Sequence, residues 1–278
     1  MNPTAAPPPP AQADWALSVV TLNTWKGEGP YRRRLDLMAD GLAALAPDVV
    51  LLQEAFAAPS LGLSTAEALA ERLGLFAIAP AARAKTRQVE GRSVSSTSGL
   101  ALLSRRPLDR YEVLELPKDA ADGDRQALVA RLATPHGDLV VVNTHLSHLE
   151  QADGLRLAQL QAILSHLDTQ PGRPSVLLGG DMNCPPDGAC LHWLIDHPGH
   201  PAIDLMAGAA DPEFATHRDL PPESGRIDHL LLLPGADGPH LEVTECRPVL
   251  NTPGADGTWP SDHIGLLVRL AGKGALPP

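Results

Sequence analysis

Nine short apolar runs dominate the chain and set most of what it can fold into: 17–23, 48–53, 99–104, 127–133, 139–145, 175–181, 227–233, 241–249 and 263–270. Several, such as LSVVTLN, DVVLLQ and LVVVNTH, are rich in Val and Leu, the pattern of strands buried on both faces. ALVARLA at 127–133 alternates instead and turns Arg131 away from the core. None of the runs approaches the roughly 20 residues that a membrane-spanning helix needs. Two helices are clear from apolar spacing. One covers 31–46, with Leu35, Met38, Leu42 and Leu45; the other covers 153–168, with Leu157, Leu160, Leu164 and Leu167. Shorter helices are expected at 64–73, where Ser64 is a candidate N-cap with Glu67 three residues on, and at 187–197. Strands alternating with a few helices predict one α/β domain.

That domain is expected to span 14–272. Residues 1–13 form a Pro-rich tail in which Pro7 to Pro10 favour an extended polyproline II segment, and 273–278 form a loose C-terminal tail. The first residues lack the positive and apolar regions of a secretory signal, so the cytoplasm is the default location. With 44% hydrophobic residues the chain can bury a large core, which excludes disorder throughout. Its three cysteines, Cys184, Cys190 and Cys246, show no metal spacing and read as small packing residues rather than a disulfide scaffold.

The informative polar residues stand where apolar runs begin or end. VVTLN ends in Asn23, VVLLQE in Glu54, VVVNTH in Asn143, Thr144 and His145, and VLLGGDMN in Asp181 and Asn183. Arg226 and Asp228 open one later run, and Ser261, Asp262 and His263 open another. Each has an ordinary reading alone: a turn residue, a surface carboxylate, an Asx-turn, a satisfied core histidine. Together, at consistent strand boundaries, they point to one cleft at a sheet edge. Carboxylate and amide oxygens suit a hard cation such as Mg²⁺, and histidines with an Asn can neutralise a phosphoryl oxyanion and move protons. No phosphate-binding P-loop, nucleophile elbow or zinc spacing is present.

These stretches, TLNTW, LLQEA, SGLALLS, VNTHL, LGGDMN, RIDHLL and SDHIGL, resemble the endonuclease/exonuclease/phosphatase superfamily of deoxyribonuclease I-like phosphohydrolases, from about residue 17 to 270. The resemblance implies a four-layer α/β/β/α sandwich of two packed mixed sheets flanked by helices. It implies a phosphoric ester hydrolase that uses Mg²⁺, with Mn²⁺ as a substitute, to attack a phosphodiester or phosphomonoester with an activated water. Glu54, Asn23 and Asp262 match the metal-binding positions. Asp181 matches the aspartate that positions the water, Asn183 its phosphate-binding companion, and His145 and His263 the histidine pair, with Asp228 orienting His263. The His in VNTHL and the absence of the 5-phosphatase signature beside RID disfavour abasic-site repair and phosphoinositide phosphatase activity. The substrate stays open between nucleic acid, phospholipid and a small phosphate ester, and a silent phosphate-ester-binding module on the same fold is the alternative to an enzyme. A monomer is expected.

Charge adds one local feature. The chain carries net −11, which argues against a binder that holds nucleic acid through overall positive charge. Yet 83–110 holds seven cations against Glu90 and Asp109, a net +5. It reads either as a solvated loop or as a flexible polar loop, SVSSTSG included, whose Arg83, Lys85, Arg87 and Arg92 contact substrate phosphates.

Overall fold

Alternation of side chains along the strands divides the apolar residues into three layers. β1 (Trp15–Asn23) sends Leu17 and Val19 to one side and Val20 and Leu22 to the other. The computed structural model describes residues 15–273, apart from 109, 136, 212–213, 222–224 and 237–239; both expected tails, save Lys273, lie outside the described residues. The first sheet runs β13 (His240–Val249), β14 (Gly265–Lys273), β1, β2 (Val49–Ala58), β6 (Arg92–Ser104), β4 (Phe76–Ile78), with β3 (Leu63–Ser64) on β2 and β5 (Lys85–Val89) on β6. The second runs β11 (Ile203–Asp204), β12 (Asp228–Leu233), β10 (Ser175–Asp181), β9 (Gly137–His145), β8 (Gln126–Thr134), β7 (Tyr111–Glu115). β1 and β2 are parallel, as are β9 and β10, so both sheets are mixed.

Between the sheets Val19, Leu51, Leu102 and Val268 meet Val141, Leu177 and Leu230. Outside the first sheet α1 (Tyr31–Leu45) and α2 (Thr65–Leu73) bury Met38, Leu42 and Leu69 against Val20, Val50 and Leu52. Outside the second, α3 (Asp153–Asp168) and α4 (Ala189–Ile195) bury Leu160, Ile163 and Leu194 against Val140, Val142 and Val176. The result is a four-layer α/β/β/α sandwich. Ser64 Oγ accepts from the Glu67 amide at 3.3 Å, so α2 starts where its cap requires. Among the described residues no helix is long and apolar enough to cross a membrane.

Two expectations are corrected. The 83–98 segment is not a flexible loop: Lys85–Val89 and Arg92–Ser96 pair as a hairpin, and Thr97 and Ser98 continue into the first sheet against Ala57 and Phe56. Its turn residues Glu90 and Gly91 have φ 49° and 73°, the two left-handed positions that suit the twist of a two-residue hairpin loop. Serines hid this strand from hydrophobic periodicity, yet Ser96 is buried and satisfied: its Oγ donates to Lys85 O and accepts from Arg87 Nη1. The second correction concerns the cysteines. Cys184 and Cys190 pack in the core under α4, but they are joined as a disulfide; Cys246 is free.

A buried side chain of the second sheet ties it to the first. Asn143 is fully buried on β9, where its Nδ2 donates to the carbonyls of Leu52 and Ala101 at 2.9 and 2.8 Å, and its Oδ1 accepts from Gln53 Nε2 at 2.7 Å. Although it stands at a strand end, it faces the opposite sheet rather than the open edge. Asn143→Ala leaves two buried carbonyls without their donor, so a loss of about 2–4 kcal/mol is expected. At roughly 2–4 °C per kcal/mol for a domain of this size, calorimetry should record a fall in Tm of about 5–10 °C. A shift under about 2 °C would show that the sheets associate without this contact.

Candidate active site

The parallel pairs β1/β2 and β9/β10 end at the same edge of the sandwich, and β12, antiparallel to β10, begins there. On this edge Asp181 stands in register with His145 on one side and Asp228 on the other. The glycines before it make that register possible. Gly180 has φ +138°, and a Cβ there would lie 1.9 Å from the Thr144 carbonyl oxygen; a Cβ on Gly179 would strike Leu51 and Leu230. The Gly-Gly pair therefore serves close packing of strands and sheets, not nucleotide binding.

Glu54 reaches the edge by a different device. The β2–β6 register slips between Leu52 and Ala55, and Glu54 takes φ +54° at the slip. Such a bulge re-aims a side chain out of the strand's alternation. Its Oε1 pairs with Lys26 Nζ at 3.0 Å. Lys26 sits on a loop in which Trp25 and Lys26 both have positive φ, 53° and 46°. Buried Arg34 holds that loop, donating to the carbonyls of Thr24, Trp25, Lys26, Glu28 and Pro260 at 2.9–3.3 Å.

Asp181 is the centre of the hydrogen-bonded set. Its Oδ2 accepts from Asn23 Nδ2 at 2.9 Å and its Oδ1 from the Asn183 amide at 3.0 Å. His145 Nε2 lies 3.4 Å and His263 Nε2 3.8 Å from Asp181 Oδ2. On its other side His263 Nδ1 meets Asp228 Oδ2 at 2.9 Å. Ser261 Oγ donates to Asn23 O at 2.7 Å, and its oxygen accepts from the His263 amide at 3.2 Å, so the S-D-H turn is tied to the end of β1.

Burial and these neighbours shape the charges. Burial, reinforced by the charge of Asp228, raises the Asp181 pKa to about 7, against the pull of His263 and Asn23. Burial alone would lower His263, but the charge and hydrogen bond of Asp228, with Asp181 and Asp262, outweigh it and hold the imidazole protonated, up to about 10. Burial, with Arg125 nearby, pushes His145 well below its ordinary value and keeps it neutral. Burial raises Asp262, and the charge of Glu54 adds to the effect.

A cleft of about 550 Å³ opens over this set. Asn23, Glu54, His145, Asp181, Asn183 and Asp262 line it, while Asp228 and His263 lie buried beneath. Lys85 and Arg87 of the hairpin, with Arg83 just before it, form one wall, and Lys118 and Arg125 also line the cleft. Arg92 is not on that wall; it stands exposed at the hairpin turn opposite Val89. Arg226, at a strand start like the site residues, is buried behind the site and pairs with Asp204. Lys26 and His217 are cleft residues that sequence reasoning missed. His217 bridges to His263 in backbone, packs its ring edge-on at 4.6 Å, and lies 3.8 Å from Asp262 Oδ2. It stands in an aperiodic loop that offers no pattern to read.

Asn23, Glu54 and Asp262 supply oxygen donors, and Glu54 is close enough to disfavour the charge of Asp262. Hard oxygen donors with surplus negative charge fit a divalent cation of the Mg²⁺ or Mn²⁺ kind. His217, Asp262 and His263 also bring ligand atoms within 4.8 Å of one another, as do Asp181, Asp228 and His263, although that second group is already internally paired.

A model of the Endonuclease/Exonuclease/phosphatase family matches residues 20–263. Tyrosyl-DNA phosphodiesterase 2 of Gallus gallus is 27% identical over 268 residues, covering 91% of this chain and 67% of that protein. Among solved structures, an endonuclease/exonuclease/phosphatase from Beutenbergia cavernae matches with TM-score 0.69 at 24% identity, over 94% of this chain and 72% of that one. D. rerio TDP2, complexed with single strand DNA product, matches with TM-score 0.70 at 18% identity, over 92% and 98%. At these identities the likeness to the solved structures is one of fold.

Behind the site, His229 is buried with Nε2 at 2.8 Å from the Cys184 carbonyl and Nδ1 at 2.8 Å from Arg226 Nη1. Burial, with the charge of Arg226, lowers its pKa to about 3. Below the ordinary histidine value near 6.5 the unfolded chain binds a proton that the folded chain refuses, so stability present at pH 7 is lost as pH falls. This one group should cost about 2 kcal/mol between pH 7 and 4.5. His229→Gln keeps an acceptor and a donor, and denaturant titrations at the two pH values should show a correspondingly smaller drop. An equal drop in both proteins would exonerate His229.

Proposed function

Because the chain belongs to the Endonuclease/Exonuclease/phosphatase family, we propose that it is a divalent-metal-dependent phosphodiesterase acting on a nucleic-acid strand. The observation that carries the reading is the Asn23–Asp181–His145–His263–Asp228 set at the floor of a cleft with a cationic wall. Hydrolysis of phosphate esters is the family's chemistry; the metal, the diester bond and the strand are our reading. Asn23, Glu54 and Asp262 would hold Mg²⁺, which supplies charge neutralisation at the phosphate oxygens and the leaving oxygen when bound.

The chain's own groups divide the remaining work. Asp181, fixed by Asn23 and the Asn183 amide, orients a water and accepts its proton. His263, kept protonated by Asp228, directs Nε2–H into the site to meet developing phosphoryl charge. Neutral His145 offers a further N–H beside Asp181, and the Asn183 side chain, whose Nδ2 also donates to Leu146 O at 3.2 Å, would position a phosphate oxygen. Arg83, Lys85 and Arg87 would contact neighbouring phosphates of the strand. The single strand DNA product bound by D. rerio TDP2 supports a nucleic-acid substrate over a phospholipid, as does a cleft lined by charged and amide groups rather than an apolar surface. Activity on single-stranded DNA, RNA, sphingomyelin and nucleotides at fixed Mg²⁺ and salt tests this; turnover confined to sphingomyelin would overturn it.

Glu54→Gln removes a charge from the metal site without changing size. Hydrolysis of an aryl phosphodiester should be lost at limiting Mg²⁺, recover in part at high Mg²⁺, and disappear on chelation in the native protein. Unchanged activity at limiting Mg²⁺ would refute the assignment. His263→Ala should lower kcat by about 10² or more. A loss below about threefold, with the fold intact by circular dichroism, would remove His263 from the reaction.

A further inference from the structure

Among the described residues Lys26 is the one side chain in an ion pair with Glu54, and the structure gives it unusual support. Two successive left-handed residues, Trp25 and Lys26, turn the chain at this point, and neither is a glycine. Such backbone costs free energy and persists only where its surroundings over-determine it. Here the buried Arg34 guanidinium does so through five carbonyls of this loop and its neighbour, while the Trp25 ring packs on that guanidinium at 4.7 Å. The product of this construction is an ammonium aimed into the cleft, 3.0 Å from Glu54 Oε1. It shares that cleft with Glu54, His145 and Asp181.

We propose that Lys26 and the divalent cation share Glu54: Lys26 neutralises the carboxylate before the metal binds, and its ammonium passes to a non-bridging phosphate oxygen of the substrate once the metal has taken Glu54. The inference rests on Glu54 being a metal ligand. Its physical basis is the lysine side chain itself. A compact, strongly hydrated charge with three donors on a flexible stem can exchange one oxyanion for another with little movement, whereas a guanidinium locked in a bidentate fork cannot. With 39% of its side chain exposed against 15% for Glu54, the ammonium is the mobile partner of the pair.

Two consequences have opposite signs. Removing Lys26 frees Glu54 for the metal, so Mg²⁺ should bind more tightly. It also deletes a phosphate contact, so hydrolysis should weaken. Damage to the loop alone would weaken both.

The test compares native protein with Lys26→Met, Lys26→Asn and Glu54→Gln. Asn tolerates the left-handed backbone and guards against misfolding of the Met variant. Isothermal titration with MgCl₂ should show Kd falling about fivefold for both Lys26 variants, the scale of a partly exposed ion pair, and rising at least tenfold for Glu54→Gln. At saturating Mg²⁺, kcat/KM for bis(p-nitrophenyl) phosphate should drop about tenfold in the Lys26 variants, the scale of one charge-assisted contact. Unchanged or weaker Mg²⁺ binding in both Lys26 variants, beside the expected loss in Glu54→Gln, would overturn the sharing of Glu54 and leave the metal site standing. Tighter Mg²⁺ binding with unchanged kcat/KM would overturn the phosphate contact. Unaltered Mg²⁺ binding in Glu54→Gln would remove the metal reading and this inference with it.

Discussion

A carboxylate buried at the junction of two sheets must be compensated, and the compensation of Asp181 organises the rest of the molecule's edge. Its partners come from both halves: Asn23 of the first sheet and the Asn183 amide of the second donate to it, with the His145 ring 3.4 Å and the His263 ring 3.8 Å away. Burial penalises an isolated charge far more than a hydrogen-bonded one. The arrangement therefore ties the relative placement of the sheets to the chemistry at their edge. Asn143 supports the same placement from within, where it bridges β9 to β2 and β6.

Much of this was legible in the chain. The strands were readable because Val- and Leu-rich runs buried on both faces leave little else for those residues to do. The candidate-site residues stood out because polar groups end or open those runs at strand boundaries. Roles could not be read from position alone: Asn143 and Arg226 occupy strand boundaries like the others, yet one joins the sheets and the other neutralises Asp204 behind the site.

What escaped the sequence did so for physical reasons. The β5–β6 hairpin is built from Ser, Thr and Arg, whose burial is satisfied by local hydrogen bonds rather than by apolar periodicity. His217 and Lys26 sit on aperiodic loops, where position is decided by tertiary partners: the backbone bridge to His263 in one case and Arg34 in the other. The Cys184–Cys190 bond forms because the chain folds back from the end of β10 into α4, a path that no spacing rule encodes. Only His217 owes its place to a partner distant in sequence; the hairpin, the disulfide and the Lys26 loop depend on nearer contacts that leave no apolar periodicity.

The β5–β6 hairpin has one more property. Beyond Thr97 its ladder closes on itself, since Lys85–Val89 pair with Arg92–Ser96 and, among the described residues, with no other strand. Its length is thus uncoupled from the strand that carries Glu54. An antiparallel ladder advances about 3.4 Å per residue and restores its facing only every second residue. Insertion or deletion of two residues in each arm would slide the cationic wall by about 7 Å while keeping its side chains turned to the cleft; a single residue would turn them away. The hairpin thus has the geometry of a ruler with a coarse step: its length can change in units of two residues without disturbing the Asp181 set.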